Sequence, residues 1–244
     1  KINTGIRTKA FRMKYTISKE VNINESLLYK IDSLALNAIK EGATPGCQIL
    51  IAKNGKVFFQ KSFGYHTYNK KNQVKNTDIY DLASITKISA TLPMLMKMVD
   101  EKSLYLNDKL SKYLEMDTSN KNDLIIRDIL THQAKLKSWI PFCNYTLDDD
   151  TINGVKVLRD SLYSSKKSSI YPYKVAESIY LHFSYPDTIF QTILNSELRE
   201  KEKYKYSDLG YYLLKEIIER NYNDQLNTLT SDYFYNKIGM ENLG

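Results

Sequence analysis

The sequence predicts an α+β fold: an antiparallel β-sheet flanked by helices, plus an all-helical lobe of the same chain. Three observations carry this expectation. An amphipathic pattern over residues 24–42 leads directly into two β-rich runs flanking Asn54-Gly55. Helical patterns then recur from Ser84 to Tyr222, interrupted by a poorly patterned stretch at 141–205. With 244 residues, 42% of them hydrophobic, the chain can bury a substantial core as one large domain or two lobes.

Taken in order, residues 1–20 are polar, show no sustained period, and read as a linker or extended arm. From Asn24, apolar residues recur at Leu27, Leu28, Ile31, Leu34, Ala35, Ala38 and Ile39, which is helical spacing. Asn24 or Ser26 serves as the cap and Gly42 as the stop. "PGCQILIAKNGKVFFQKSFGY" then reads as a hairpin, because both residues of an Asn-Gly turn take positive φ. The next helix spans Ser84 to about Glu101, with Pro93 expected to kink it. "NDKLSKYLE", capped by Asn107, and "NDLIIRDILTHQA", with Leu124, Ile125, Ile129 and Leu130 inward, give two further helices. Another runs through "PDTIFQTILNSELREK". "SDLGYYLLKEIIERNY" closes the series, with Leu209, Tyr212, Leu213, Ile217 and Ile218 as its inner face.

Bulk properties exclude several functions. The net charge is +7, but the lysines are scattered and interleaved with acids. Nucleic-acid binders gather such charge into a patch and favour Arg, so no nucleic-acid partner is expected. No apolar run approaches 18 residues, so no transmembrane segment is expected. Cys47 and Cys143 lack metal-ligand spacing and read as small buried hydrophobes, with a single bridge between them left open. His66, His132 and His182 suggest no metal site, and no cofactor is expected. The chain begins Lys-Ile-Asn-Thr, without an initiator Met or an apolar secretory stretch, which reads as a mature or excised piece of something longer.

The chemistry concentrates in "DLASITKISA". A serine is a poor nucleophile until a base or a charge favours its alkoxide. At i and i+3, Ser84 and Lys87 share one helix face, with Ser84 at the positive end of the dipole. Burial beside Leu82, Ile85 and Ile88 would lower the lysine pKa, and a nearby anion would hold it up. The neutral amine would serve as base and the ammonium as electrostatic support. The plain alternative is a serine N-cap beside an exposed lysine.

"SITK" within "YDLASITK" resembles the S-x-x-K motif of serine β-lactamases and penicillin-binding proteins, and more narrowly their class C-like branch. The hairpin "PGCQILIAKNGKVFFQKSFGY", the segment "IRDILTHQAKL" and the segment "YKYSDLGYYLL" resemble three further motifs of that branch, in the same order. The resemblance covers roughly residues 25–244. It implies Ser84 as the acylated nucleophile, Lys87 as its activating lysine, and Tyr206 as the phenol that moves protons to the leaving group. It implies a sheet lobe of residues 21–87 and 206–244, a helical lobe of 88–205, and Ser84 at their seam. A peptidoglycan-derived or other small-molecule substrate and a bacterial periplasmic or cell-envelope location follow from the same resemblance.

Departures from the pattern qualify it. Asp208 stands at the substrate-binding position where the family has Asn; an amide donates to a substrate carbonyl, whereas a carboxylate only accepts. Asp208 could instead pair with Lys87, which puts β-lactam binding in doubt. Gln133-Ala134-Lys135 replaces Thr-Ser-Gly, and His132 reads as structural. The third motif, K-T-G or H-x-G, is not in the chain, which ends on "KIGMENLG". The domain is therefore expected to be truncated, short of core strands and of a second oxyanion donor, with an open sheet edge. "TKAFRMKYT" resembles the junction after a family 3 glycoside hydrolase, implying a covalently linked glycosidase domain. The expected activity of the intact protein is acyl-enzyme hydrolysis of a D-Ala peptide, β-lactam or ester, with these 244 residues alone expected to lack a complete active site; the alternative is a non-catalytic binding or packing module attached to a peptidoglycan-active glycosidase.

Overall fold

The structure, a computed structural model, describes residues 13–116, 118–150, 154–200 and 203–240. The chain divides into two compact units: one drawn from residues up to Ala83 and from Asp232 onward, the other from Ser84 to Ser231. Most of the expected linker at 1–20, and the ends of "TKAFRMKYT" and "KIGMENLG", lie outside the described residues.

The first unit opens with a short strand, β1 (Lys14–Tyr15), followed by α1 (Leu28–Lys40), β2 (Gly46–Lys53) and β3 (Lys56–Gly64). Their order in the sheet is β1-β3-β2, with β1 parallel and β2 antiparallel to β3. The Asn54-Gly55 turn forms as expected, with φ of 52° and 71° and Lys53 facing Lys56. At the open end of the hairpin, Gly64 has φ of 67°, and a Cβ there would lie 2.3 Å from the Pro45 carbonyl oxygen. That approach, with the Tyr65 N–H donating to Pro45 O, explains why Pro-Gly and Phe-Gly bracket the hairpin.

Asn24 caps the 3-10 turn Glu25–Leu27 that leads into α1, its side chain accepting from the Ser26 N–H at 3.0 Å. The Lys61 ammonium donates to Asp32 at 2.8 Å and ties β3 to α1. The inner face of α1 is narrower than its periodicity implies. Ala35 is buried, but Leu27 and Leu34 are 44% and 71% exposed. A sheet of three strands covers only the stripe through Leu28, Ile31, Ala35 and Ile39.

The second unit is built around α5 (Leu209–Tyr222), which packs against α2 (Leu92–Asp100), α3 (Ile126–Leu130), α4 (Tyr185–Asn195) and α6 (Leu226–Thr230). Leu209, Leu213, Leu214, Ile217 and Ile218 are buried on it. Tyr212, expected inside, is 45% exposed, and Gly210 takes its place. A Cβ on Gly210 would meet Ile129 Cγ2 at 2.6 Å, so the missing side chain is what lets α3 approach. Residues 206–244 are expected in the sheet lobe, but α5 belongs to the unit whose helices it packs.

Four further expectations are corrected. "NDKLSKYLE" folds into a single 3-10 turn over Leu110–Lys112, and Asn107 accepts from Arg127 Nε rather than capping it. The expected helix over "NDLIIRDILTHQA" shrinks to α3, because Ile125 is extended at its start. The unreadable stretch holds strands as well as helix: β4 (Leu147–Asp150) with β5 (Val155–Leu158), and β6 (Tyr163–Ser164), β8 (Ile179–Leu181) and β7 (Tyr173–Ala176) in that sheet order. Both cysteines are free; Cys47 is half-buried and Cys143 exposed, not the buried pair expected.

Lys121 is fully buried. Its ammonium donates to Asn120 Oδ1 at 2.7 Å, to Leu194 O at 3.2 Å and to Ser196 O, holding carbonyls at the end of α4. Burial, with the Lys137 charge, lowers its pKa to about 8.

Candidate active site

The residue before Ser84 is in the left-handed region: Ala83 has φ of 44°, and its N–H donates to the Asp81 carboxylate at 2.7 Å. A side chain there is strained by about 1–2 kcal/mol, and strain of this kind gathers at functional sites. The helical run then opens as a 3-10 turn over Ala83–Ile85, widens to a π turn over Lys87–Thr91, and becomes regular in α2. Pro93 has no N–H for the Ser89 carbonyl, and the Leu92 N–H reaches back five residues to Lys87 O. The widened turn carries Lys87 itself, as π turns at functional sites often do.

A second strip, residues 204–208, runs beside residues 132–138. Lys205 N–H donates to His132 O at 3.0 Å, Ser207 Oγ to Lys137 O at 2.7 Å, and Asp208 N–H to Ser138 O at 2.8 Å. Ser207 N–H donates to His132 Nδ1 at 3.2 Å. The His132 ring lies 4.5 Å from the Tyr206 ring and 5.5 Å from that of Tyr211, centroid to centroid. The imidazole is thus a spacer that fixes the phenol's strip.

All four site residues named from the sequence meet. The Lys87 ammonium donates to Ser84 Oγ at 3.1 Å and to Asp208 Oδ1 at 2.6 Å. It also stands 5.0 Å from the Tyr206 ring centroid and 5.7 Å from that of Tyr211. The Lys87 side chain is 15% exposed, while those of Asp208 and Tyr206 are open to solvent.

Leu82, Ile85 and Ile88, expected to bury Lys87, are 45%, 54% and 62% exposed. The aromatic rings and Asp208 surround the amine instead. Desolvation is the largest single influence on Lys87 and acts to lower its pKa. The hydrogen bonds and charges of Asp208 and Tyr206 together outweigh it, and the amine sits above its ordinary value. Hydrogen bonds from Lys87 and then from Ser84 hold the Tyr206 phenol below its ordinary value. Desolvation and the Lys87 charge lower His132. The arrangement therefore shifts the amine toward ammonium, the phenol toward phenolate and the imidazole toward its neutral form.

Sequence reasoning missed Tyr211, which completes the aromatic wall, and the strained Ala83. The "SDLGYY" run offered a signal for the first; nothing in an alanine signals a positive φ. The other two histidines have partners of their own: His66 Nε2 lies 2.7 Å from Asp78 Oδ2, and His182 Nδ1 lies 2.9 Å from Ser184 Oγ.

Known proteins are similar to this chain. The chain is 28% identical over 218 residues to Protein flp of Staphylococcus aureus (strain MW2), covering 87% of this chain and 37% of that protein. It is 25% identical over 228 residues to N-acetylmuramyl-L-alanine amidase of Bacillus subtilis (strain 168), covering 88% and 45%. The chain thus spans less than half the length of these curated relatives. The octameric penicillin-binding protein homologue from Pyrococcus abyssi has a similar fold, with a TM-score of 0.62 and 22% identity, covering 86% of this chain and 42% of that one. The family model described as Beta-lactamase matches residues 31–244, and the chain belongs to that family, within the superfamily of serine β-lactamases and penicillin-binding proteins.

Proposed function

We propose that the chain is a serine hydrolase that works through an acyl-enzyme on a D-Ala peptide, a β-lactam or an ester. The observation that carries this reading is the Lys87 ammonium, which contacts Ser84 Oγ, Asp208 and the Tyr206 phenol together. Ser84 Oγ attacks the carbonyl carbon while its proton passes to the Tyr206 oxygen. The carbonyl π pair moves onto oxygen, and collapse of that intermediate breaks the bond to the leaving group, which takes the proton from Tyr206. Water then attacks the acyl ester, gives a proton to Tyr206, and the returning proton restores Ser84. Lys87 stays protonated throughout and supports the phenolate and the developing alkoxide by charge.

Asp208 bears on substrate choice. Its carboxylate accepts hydrogen bonds and donates none, so it cannot donate to the amide carbonyl of a β-lactam or of a D-Ala peptide. The same Asp208–Lys87 pair supports a second reading, a binding or packing module in which the lysine is locked to a carboxylate. The setting we propose is the bacterial cell envelope, with a peptidoglycan-derived substrate. A covalently linked glycosidase domain, suggested by "TKAFRMKYT", belongs to the same proposal.

Labelling decides between them. Fluorophosphonate and fluorescent penicillin are each incubated with the protein, and the adduct is located by peptide mass spectrometry. The hydrolase reading expects a Ser84 adduct that is absent from Ser84→Ala, with turnover of a chromogenic ester falling at least about 10⁴-fold in that variant. No adduct with either probe, together with saturable muropeptide binding that survives Ser84→Ala, establishes the binding module instead.

A further inference from the structure

Apart from the catalytic cluster, the second unit contains a groove of about 790 Å³ between α4 and the segment 137–145. The groove is shallow and largely open to solvent. One wall is a face of α4, where Thr188, Gln191 and Asn195 recur at helical spacing. Thr188 spends its hydroxyl proton on Ser184 O at 3.3 Å, and Thr192 spends its own on Thr188 O at 2.7 Å. Their oxygens still accept from the groove. The amides of Gln191 and Asn195 have no hydrogen-bond partner among the described residues, and each offers two donors and an acceptor.

The facing wall carries Tyr145, 52% exposed, as a flat amphipathic surface, and Ile140. Charge is balanced, with one cation, Lys137, and one anion, Asp187. A phosphate or carboxylate ligand would gain no net attraction there, and an apolar ligand would strand the amides. We propose that this groove binds a neutral oligosaccharide, whose hydroxyls pair with the amides and hydroxyls of α4 while a sugar face lies on Tyr145.

The site is distinct from Ser84, but one of its walls is shared. The carbonyls of Lys137 and Ser138 hold Ser207 and Asp208, so a bound sugar chain would rest against the segment that supports the catalytic strip. The inference stands whether or not the chain is a hydrolase.

The test uses the chain's single tryptophan. Trp139 lies in the 137–145 segment and is 63% exposed. Its fluorescence is followed while cellotriose and triacetylchitotriose are titrated in separately, with inorganic phosphate as the charged control. Binding of at least one trisaccharide is expected with a dissociation constant of about 1 mM or tighter. Tyr145→Ala and Gln191→Ala, both at exposed positions, should each weaken it about fivefold or more, whereas Ser84→Ala should leave it unchanged. Three results would overturn the proposal: no saturable sugar binding, sugar binding indifferent to both groove variants, or saturation by phosphate alone.

Discussion

At the scale of single residues, the chemistry depends on which group holds the proton. The Lys87 pKa is raised and that of Tyr206 is lowered, so the competent state is ammonium plus phenolate. The rate of acylation should therefore climb as pH rises through the lowered Tyr206 pKa and decline only above the raised Lys87 pKa. Tyr206→Phe should flatten the climb and reduce kcat/KM by about 10²–10⁴-fold, as read from ester hydrolysis between pH 5 and 11. Asp208, like Tyr206, raises the Lys87 pKa. Asp208→Asn removes the anion that raises the amine, so the alkaline decline should move to lower pH. The new amide can donate to a substrate carbonyl, and acylation by fluorescent penicillin should speed up by about tenfold, the worth of one hydrogen bond to a carbonyl. An unchanged alkaline limb would mean that the 2.6 Å pair seen here does not set the lysine's charge.

At the scale of elements, the segment Gln133-Ala134-Lys135 shows how a departure in sequence becomes a feature of structure. Lys135 stands where the resemblance has Gly, and its φ is 58°. A backbone meant for glycine is carrying a side chain, at about 1 kcal/mol. Lys135→Gly should raise the unfolding free energy by about that amount, as measured in urea. At the far end of α4, Lys121 is a second case. Its pKa, lowered to about 8, compares with about 10.4 in an unfolded chain. Between those values the unfolded state binds more protons, so stability rises with pH across that window. The gain over Lys121→Met should approach about 3 kcal/mol by pH 10. The helices and the hairpin were legible because period and turn chemistry are local: Asn54-Gly55, Asn24 and the α5 stripe each announce themselves. The strands between 147 and 181 were not, because they are short and their apolar residues are largely exposed, leaving no alternation to read. The meeting of Ser84, Lys87, Tyr206 and Asp208 was legible only as motifs in order. Periodicity alone could place the first two, 120 residues away from the others, but could not bring the pairs together.

At the scale of the whole molecule, the first unit leaves a surface that should govern how the protein behaves in solution. β2 is an eight-residue strand with no strand partner on its outer edge among the described residues. Leu50 on that strand is 49% exposed, and Leu34 and Leu36 on α1 are 71% and 57% exposed. A strand edge without a partner strand that also carries an exposed leucine is a template for strand addition, and exposed leucines elsewhere on the unit add to the apolar surface. The net charge of +7 opposes association through repulsion between copies, but salt screens that repulsion to about 8 Å at physiological ionic strength. The balance should therefore shift toward association as salt is added. In sedimentation velocity runs, the weight-average mass should increase with both protein and sodium chloride concentration. Leu50→Lys, which places a charge on the edge, should restore a monomer at the same salt, and Leu34→Lys should do so only partly, because it alters the helix face and leaves the strand edge intact. Monomer at every salt concentration for the unsubstituted chain would show that the edge is already covered by some part of the same polypeptide.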